Sequence, residues 1–188
     1  PQAERHAPIQ IMHRANTFLR HRFGIDSDLA VAFFKPGVYL DVKETEALGL
    51  DLVEVERALA AEFLQMPGFS AAYSRNDLIA GSIPQSLQAR MAARSVHSSR
   101  SGHVIVVQDP FWFLSSEPDG NAATHGSPFA YDTHIPIMMA GPGVRQQRVI
   151  APVEARDLAR TVCKYLDIAP PSDATGQLLP GFISSEQD

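Results

Sequence analysis

One histidine of this sequence raises the question whether it binds a metal ion. His125 lies in ATHGSPFAYDTHIPIMMAGPGV, residues 123 to 144, where a loop containing glycine and proline leads into six apolar residues. Gly126 permits close approach of the backbone, and Thr124 and Ser127 are candidate hydrogen-bond partners that would orient the site. A histidine on a loop at the end of a buried strand suits a metal ligand. Spacing leaves open the alternative that this is only a loop entering a strand.

The residues close to His125 in the sequence show no spacing that would provide a second metal ligand. A zinc ion binds about three or four protein groups at roughly 2.0 to 2.3 Å, yet the sequence contains no H-E-x-x-H motif and no histidine pair at i and i+4. If Asp132 and His134 are extended they share a face, and Asp132 could then select a tautomer of His134. A structural hydrogen bond at the mouth of a strand is the favoured interpretation of that pair.

Other catalytic signatures are absent from the sequence. There is no P-loop, no G-x-G-x-x-G and no G-x-S-x-G, and Gly141-Pro142-Gly143 is explained by turn formation. The net charge is -5 with lysine and arginine scattered along the chain, which argues against nucleic-acid binding. No apolar run has the length of a membrane span. The single cysteine, Cys163, rules out an internal disulfide and is predicted to be a buried packing thiol.

The elements that would position these residues follow from periodicity and capping signals. Residues 7 to 23 predict an amphipathic helix ended by Gly24, and Asp51 with Glu54 predicts the capped start of another. A Pro-Gly turn at 35 to 37 predicts a hairpin. The remaining predictions are strands at 69 to 74, 103 to 108 and 135 to 140, a hairpin-like pair at 111 to 114, a helix opening at 82 to 84, a loop at 115 to 130 and a helix at 154 to 166.

This order predicts an α/β protein of the α+β sandwich type, with a mixed, largely antiparallel sheet and helices. We expect residues 1–114 to form an α+β subdomain. Residues 115–188 are expected to hold the metal-ligand loop, a core strand at 135 to 140 and the C-terminal helix, as a returning strand and helix of a main sheet.

The stretch around His125 resembles a known family signature. T-H-G-S-P-F-A-Y-D-T-H-I-P-I, followed by A-G-P-G-V, is similar to the signature near the C-terminal end of the alkaline phosphatase superfamily, in the branch of type I phosphodiesterases, nucleotide pyrophosphatases and threonine-dependent alkaline phosphatases. The likeness continues in order through VYLD at 38 to 41, GLDLVEVERALAAEFLQMPGF at 49 to 69 and SGHVIVVQDPFWF at 101 to 113. It therefore covers nearly the whole chain.

The resemblance implies the C-terminal part of an alkaline-phosphatase-like fold and a phosphoryl-transfer hydrolase with two zinc ions per site. The histidine of the HGS motif is a ligand of one zinc in that family, and this role carries over to His125. Thr124, Ser127 and Asp132 are the candidates that would support it. The resemblance implies a phosphate-ester small molecule as substrate, assigns no ligand role to His134, and fits a family whose members commonly act in the periplasm or outside the cell.

The departures from the family pattern concern the other ligands. The family's remaining ligands include an Asp-x-x-x-His motif and an Asp-His dipeptide, and neither occurs here. We therefore expect the C-terminal portion of a zinc-dependent phosphomonoesterase or phosphodiesterase that supplies one ligand and is inactive alone. The alternative is a non-catalytic interaction module that keeps the fold. Small-molecule binding at the loop 115 to 130 has no positive feature behind it. The apolar surface of the strand at 135 to 140 would be left uncovered without most of the main sheet. Self-association of the chain is therefore expected.

Overall fold

The computed structural model describes residues 5–114 and 124–182. The chain divides between His134 and Ile135 into two compact units. In chain order the first unit contains β1 (Arg5–His6), α1 (Pro8–Phe23), β2 (Ala30–Phe34), β3 (Gly37–Leu40), α2 (Val42–Ala47), α3 (Leu52–Phe63), β4 (Phe69–Ser74), α4 (Arg75–Ala80), α5 (Leu87–Arg94), β5 (Val104–Gln108), β6 (Phe113–Leu114) and α6 (Ala130–Thr133). The second contains α7 (Asp157–Tyr165).

A four-stranded antiparallel sheet with the order β2-β3-β5-β4 forms the centre of the first unit. All five residues of β5 are buried, as expected for an apolar strand between two neighbours. Helices α1 and α3 pack against this sheet and against each other. Their apolar stripes supply much of the core, including Ile11, Leu19, Val55, Leu59 and Phe63. The prediction of a largely antiparallel α+β arrangement is confirmed.

Capping chemistry sets the helix boundaries. Gly24 ends α1 in the left-handed conformation, with φ of 64°, which glycine adopts without a steric penalty. The Asp51 carboxylate accepts a hydrogen bond from the Glu54 amide at 2.8 Å, as the sequence predicts. The helix start predicted at 82 to 84 is wrong, because α5 begins at Leu87 with the Ser86 side chain as its cap.

A glycine pair lets β3 approach the segment that precedes β5. A Cβ atom built on Gly102 would lie 2.7 Å from the Cα of Gly37 and 2.9 Å from the amide nitrogen of Val38. Contacts that short with backbone atoms would force the two segments apart. The close approach of these two segments therefore requires glycine at position 102.

Short elements account for the remaining differences from the sequence predictions. Residues 111 to 114 do not form a hairpin with β5, because Phe113–Leu114 pairs in parallel with β1. That pairing joins residues over a hundred positions apart, which local turn signals do not encode. The short helices α2, α4 and α6 were also not predicted, since each is only four to six residues long.

The second unit has α7 as its helix and no strand among its described residues. Residues 135 to 140 were predicted to be a buried strand, and this is wrong. No strand pairs with them in the part of the chain that the structure describes, and Ile135 and Met138 are 63% and 86% exposed. Cys163 is buried on α7, which confirms its assignment as a packing thiol. Among the described helices, none is both long enough and apolar enough to cross a bilayer.

Candidate metal-ligand loop

Residues 124 to 134, which we name the His125 loop, carry every site residue predicted from the sequence. The segment begins with the exposed residues Thr124 and His125, turns at Gly126 with φ of 97°, and ends in α6. This positive φ favours glycine. The close backbone approach predicted at Gly126 is not seen, because a Cβ atom built there would meet no described atom within 4 Å. The His125 side chain is exposed rather than packed in the interior.

Asp132 fixes the internal shape of the His125 loop. Its Oδ2 atom accepts a hydrogen bond from the Ser127 amide at 2.8 Å. Hydrogen bonds from the side chain and backbone of Ser127 lower the pKa of the Asp132 carboxyl, and the charges of Lys35 and His125 lower it further by smaller amounts. Asp132 is thus an ionised carboxylate. Its bond to Ser127 joins α6 to the part of the His125 loop that precedes this helix.

The predicted pairing of Asp132 with His134 is wrong. Asp132 lies within α6 rather than in an extended segment, and its carboxylate bonds to Ser127. His134 is the exposed C-terminal cap of α6, where its backbone amide donates to the carbonyl of Ala130. Four helical residues remove the two-residue alternation on which the shared face depended.

Lys35 reaches the His125 loop from the turn between β2 and β3. Its Nζ atom donates a hydrogen bond to the backbone carbonyl of His125 at 3.1 Å. Partial burial lowers the pKa of the Lys35 ammonium, and attraction to Asp132 opposes that effect. Lys35 was not among the predicted site residues, since 90 residues separate it from His125.

Aromatic contacts hold the α6 end of the His125 loop. Phe111, in the connection after β5, stacks on Tyr131 of α6, with ring centroids 5.1 Å apart and planes 20° apart. The Phe111 amide donates to the Tyr131 hydroxyl at 3.2 Å. Phe129 also stacks on Tyr131, at 5.7 Å. These contacts attach α6 to the end of β5.

The described residues do not by themselves fit a complete zinc site. Within residues 5–114 and 124–182, no three histidine, cysteine, aspartate or glutamate side chains are grouped closely enough to hold a metal ion. Tight zinc binding requires three or four converged donors. His125 therefore supplies one accessible imidazole, with Ser127 and Asp132 shaping the loop behind it.

A buried polar network lies elsewhere in the first unit. The carboxylate of Glu56 on α3 is fully buried and accepts hydrogen bonds from the Ser74 hydroxyl at 2.6 Å and from the amide and side chain of Asn76 at 3.1 and 2.9 Å. Arg75 approaches the same carboxylate at 3.8 Å. These bonds join α3 to the junction of β4 and α4, so the network has a structural role.

A surface groove of about 430 Å³ runs between α3 and β4. Its walls include Ala61, Leu64, Tyr73 and Ile83, and the ion pair between Arg57 and Asp77 lies among its lining residues. None of the predicted site residues lines it. The candidate site predicted from the sequence is therefore separate from this groove.

Comparisons with known proteins identify similar chains that are longer than this one. No protein-family model matches the chain. It is 30% identical over 161 residues to a calcium-transporting ATPase of Myroides odoratus and 28% identical over 168 residues to the alkaline phosphatase PafA of Elizabethkingia meningoseptica. These matches cover 86% and 89% of this chain but only 29% and 30% of the relatives.

The same likeness holds in three dimensions. The crystal structure of wild-type PafA superposes with a TM-score of 0.82 at 25% identity, over 97% of this chain and 34% of that one. The chain thus matches about a third of the PafA chain in the crystal structure. It spans less than a third of the length of the curated relatives named above.

Proposed function

Because the chain belongs to the alkaline phosphatase superfamily, we propose that it forms part of a zinc-dependent phosphomonoesterase or phosphodiesterase and contributes His125 as one zinc ligand. Its alkaline phosphatase relatives support membership of a family of phosphoryl-transfer hydrolases. The observation that carries the proposal is the accessible His125 imidazole on a loop shaped by Asp132. In this proposal Thr124, next to His125 and exposed, is a further candidate to support the ligand.

Charge supports a role for metal ions in this proposal. The chain has a net charge of -5, so the protein as a whole does not attract a phosphate ester. Zinc ions, when bound, supply local positive charge at the reacting phosphorus. What this chain's own residues do is to present one imidazole and hold its loop in place. Two zinc ions per site, as in the family resemblance, are part of the proposal.

We propose further that the 188-residue polypeptide does not turn over phosphate esters alone. One imidazole does not hold zinc tightly, and the described residues provide no group of three donors. The test uses p-nitrophenyl phosphate and its diester analogue with added zinc, on this polypeptide and on the complete gene product. We expect the complete gene product to hydrolyse one of these esters and the 188-residue polypeptide to hydrolyse neither. The ester that is hydrolysed faster identifies the substrate class. Robust turnover by the 188-residue polypeptide would contradict its inactivity.

A pair of histidine variants tests the role of His125. In the complete gene product, His125→Ala is expected to lower kcat/KM more than about 100-fold, because even loss of a residue that only orients a ligand costs about 10- to 100-fold. His134→Ala is the matched control, since His134 is exposed at the end of the same loop, and it should stay near wild type. If the complete product hydrolyses neither ester, the non-catalytic interaction module becomes the better interpretation.

A further inference from the structure

The internal bonds of the His125 loop do not fix its place on the protein. Asp132 bonds to Ser127, and the amides of Thr133 and His134 donate to the carbonyls of Phe129 and Ala130. All of these bonds lie within the loop itself. A ligand must be held to within about 0.5 Å of its working position, so contacts to the rest of the first unit must locate His125.

The first such contact comes from Lys35. Its ammonium donates to the His125 carbonyl, so it acts on the backbone of the candidate ligand itself. The turn that carries Lys35 is fixed in turn, because the carbonyl of Pro36 accepts a hydrogen bond from the Val106 amide of β5 at 2.9 Å. The contact therefore links His125 to the central sheet.

The second contact comes from Phe111, which has an unusual backbone. Its φ of 68° is in the left-handed region, which is strained for a residue with a bulky side chain. The observed backbone directs its amide to the Tyr131 hydroxyl while its ring stacks on the Tyr131 ring. Phe111 follows the end of β5 by three residues, so this contact also starts from that strand.

We propose that Lys35 and Tyr131 are positioning residues that hold the His125 imidazole toward its metal, an inference that rests on the proposed function. Lys35 holds the ligand's own backbone, and Tyr131 holds the α6 end of the loop. Neither side chain needs to contact the metal or the substrate. Both contacts connect to β5, the most buried strand of the sheet, which gives the loop a rigid support.

The first experiment measures whether the two side chains hold the loop. Amide hydrogen exchange is followed in the 188-residue chain at Asp132, Thr133 and His134, whose amides are hydrogen-bonded within the loop. Lys35→Met and Tyr131→Phe are each expected to accelerate their exchange about fivefold, the effect of losing one hydrogen bond. Exchange in β5 should not change. Lys35→Arg keeps a cationic donor and should stay close to wild type.

Two matched controls accompany these variants. Lys43→Met removes an exposed lysine of α2. Tyr165→Phe removes a hydroxyl that donates to the carbonyl of Pro142 in the second unit at 2.8 Å. Neither control is expected to alter exchange in the His125 loop. Wild-type exchange there in both Lys35→Met and Tyr131→Phe would overturn the inference.

The second experiment measures zinc affinity in the complete gene product by competition with a chelator. Lys35→Met and Tyr131→Phe are expected to raise the zinc dissociation constant about tenfold, the usual effect of losing a residue that orients a ligand. A purely structural role would leave that constant unchanged. Unchanged zinc affinity in both variants, with wild-type turnover intact, would overturn the positioning role alone. A wild-type product without zinc binding or turnover would instead overturn the proposed function and this inference with it.

Discussion

His103 illustrates at the residue scale how an ionisable group is incorporated into the core. It stands at the start of the strand predicted at 103 to 108, and it is only 7% exposed. Its Nδ1 atom accepts a hydrogen bond from the Leu40 amide at 2.9 Å, which requires that nitrogen to be unprotonated. Burial is the main cause that lowers the pKa of His103, the nearby Arg75 guanidinium adds to it, and Glu56 opposes both.

This environment predicts a specific dependence of stability on pH. The folded-state pKa of His103 is below the unfolded value of about 6.5, so the unfolded chain takes up the proton first. The free energy of unfolding should therefore be unaffected by His103 above about pH 6.5 and should fall as the pH drops from there toward the folded-state pKa. His103→Asn keeps an acceptor for Leu40 but does not titrate. Urea denaturation at several pH values should show this decrease in the free energy of unfolding only in the wild type. The same pH dependence in wild type and variant would contradict the prediction.

At the element scale, the buried carboxylate of Glu56 connects α3 to the start of α4. Glu56→Gln removes the charge that faces Arg75 and replaces one acceptor with a donor facing Ser74 or Asn76. We expect a loss of about 3 kcal/mol in the free energy of unfolding, because breaking a buried charged network leaves its partners unsatisfied. Chemical denaturation measures this loss.

The control for Glu56 is on the same helix. Glu62→Gln removes an ion pair with Arg14, whose side chain is 46% exposed, and the change should be below about 1 kcal/mol. Equal effects of the two substitutions would show that the buried network does not stabilise the junction of β4 and α4.

At the scale of the whole molecule, the second unit exposes apolar side chains. Ile135, Met138 and Ile150 are all more than half exposed, and large exposed apolar areas favour association. We expect the 188-residue chain to self-associate at high concentration in light scattering. Met138→Lys should shift the distribution toward monomer, whereas Ile79→Lys, at an exposed position of α4, should not. A wild-type chain that stays monomeric at high concentration would contradict this expectation.

Several elements were predictable from the sequence because neighbouring residues determine them. The apolar spacing of α1, the cap of α3 at Asp51 and the turn at Pro36 all depend on residues within one or two helical turns. The helix predicted at 154 to 166 is also present, although α7 is shorter, from Asp157 to Tyr165. Periodicity was insufficient at 135 to 140, where an apolar run has no strand partner in the described residues.

The sequence alone was enough to predict His125 as the candidate ligand, because the HGS motif resembles the family signature over adjacent residues, and that role stays a prediction. Only the tertiary structure showed that Lys35 binds the carbonyl of a residue 90 positions away, that Phe111 stacks on Tyr131 and that His103 is buried. The reason is physical. Helix, turn and cap preferences arise from hydrogen bonds and side chains a few residues apart, whereas contacts between distant segments depend on how the whole sheet packs.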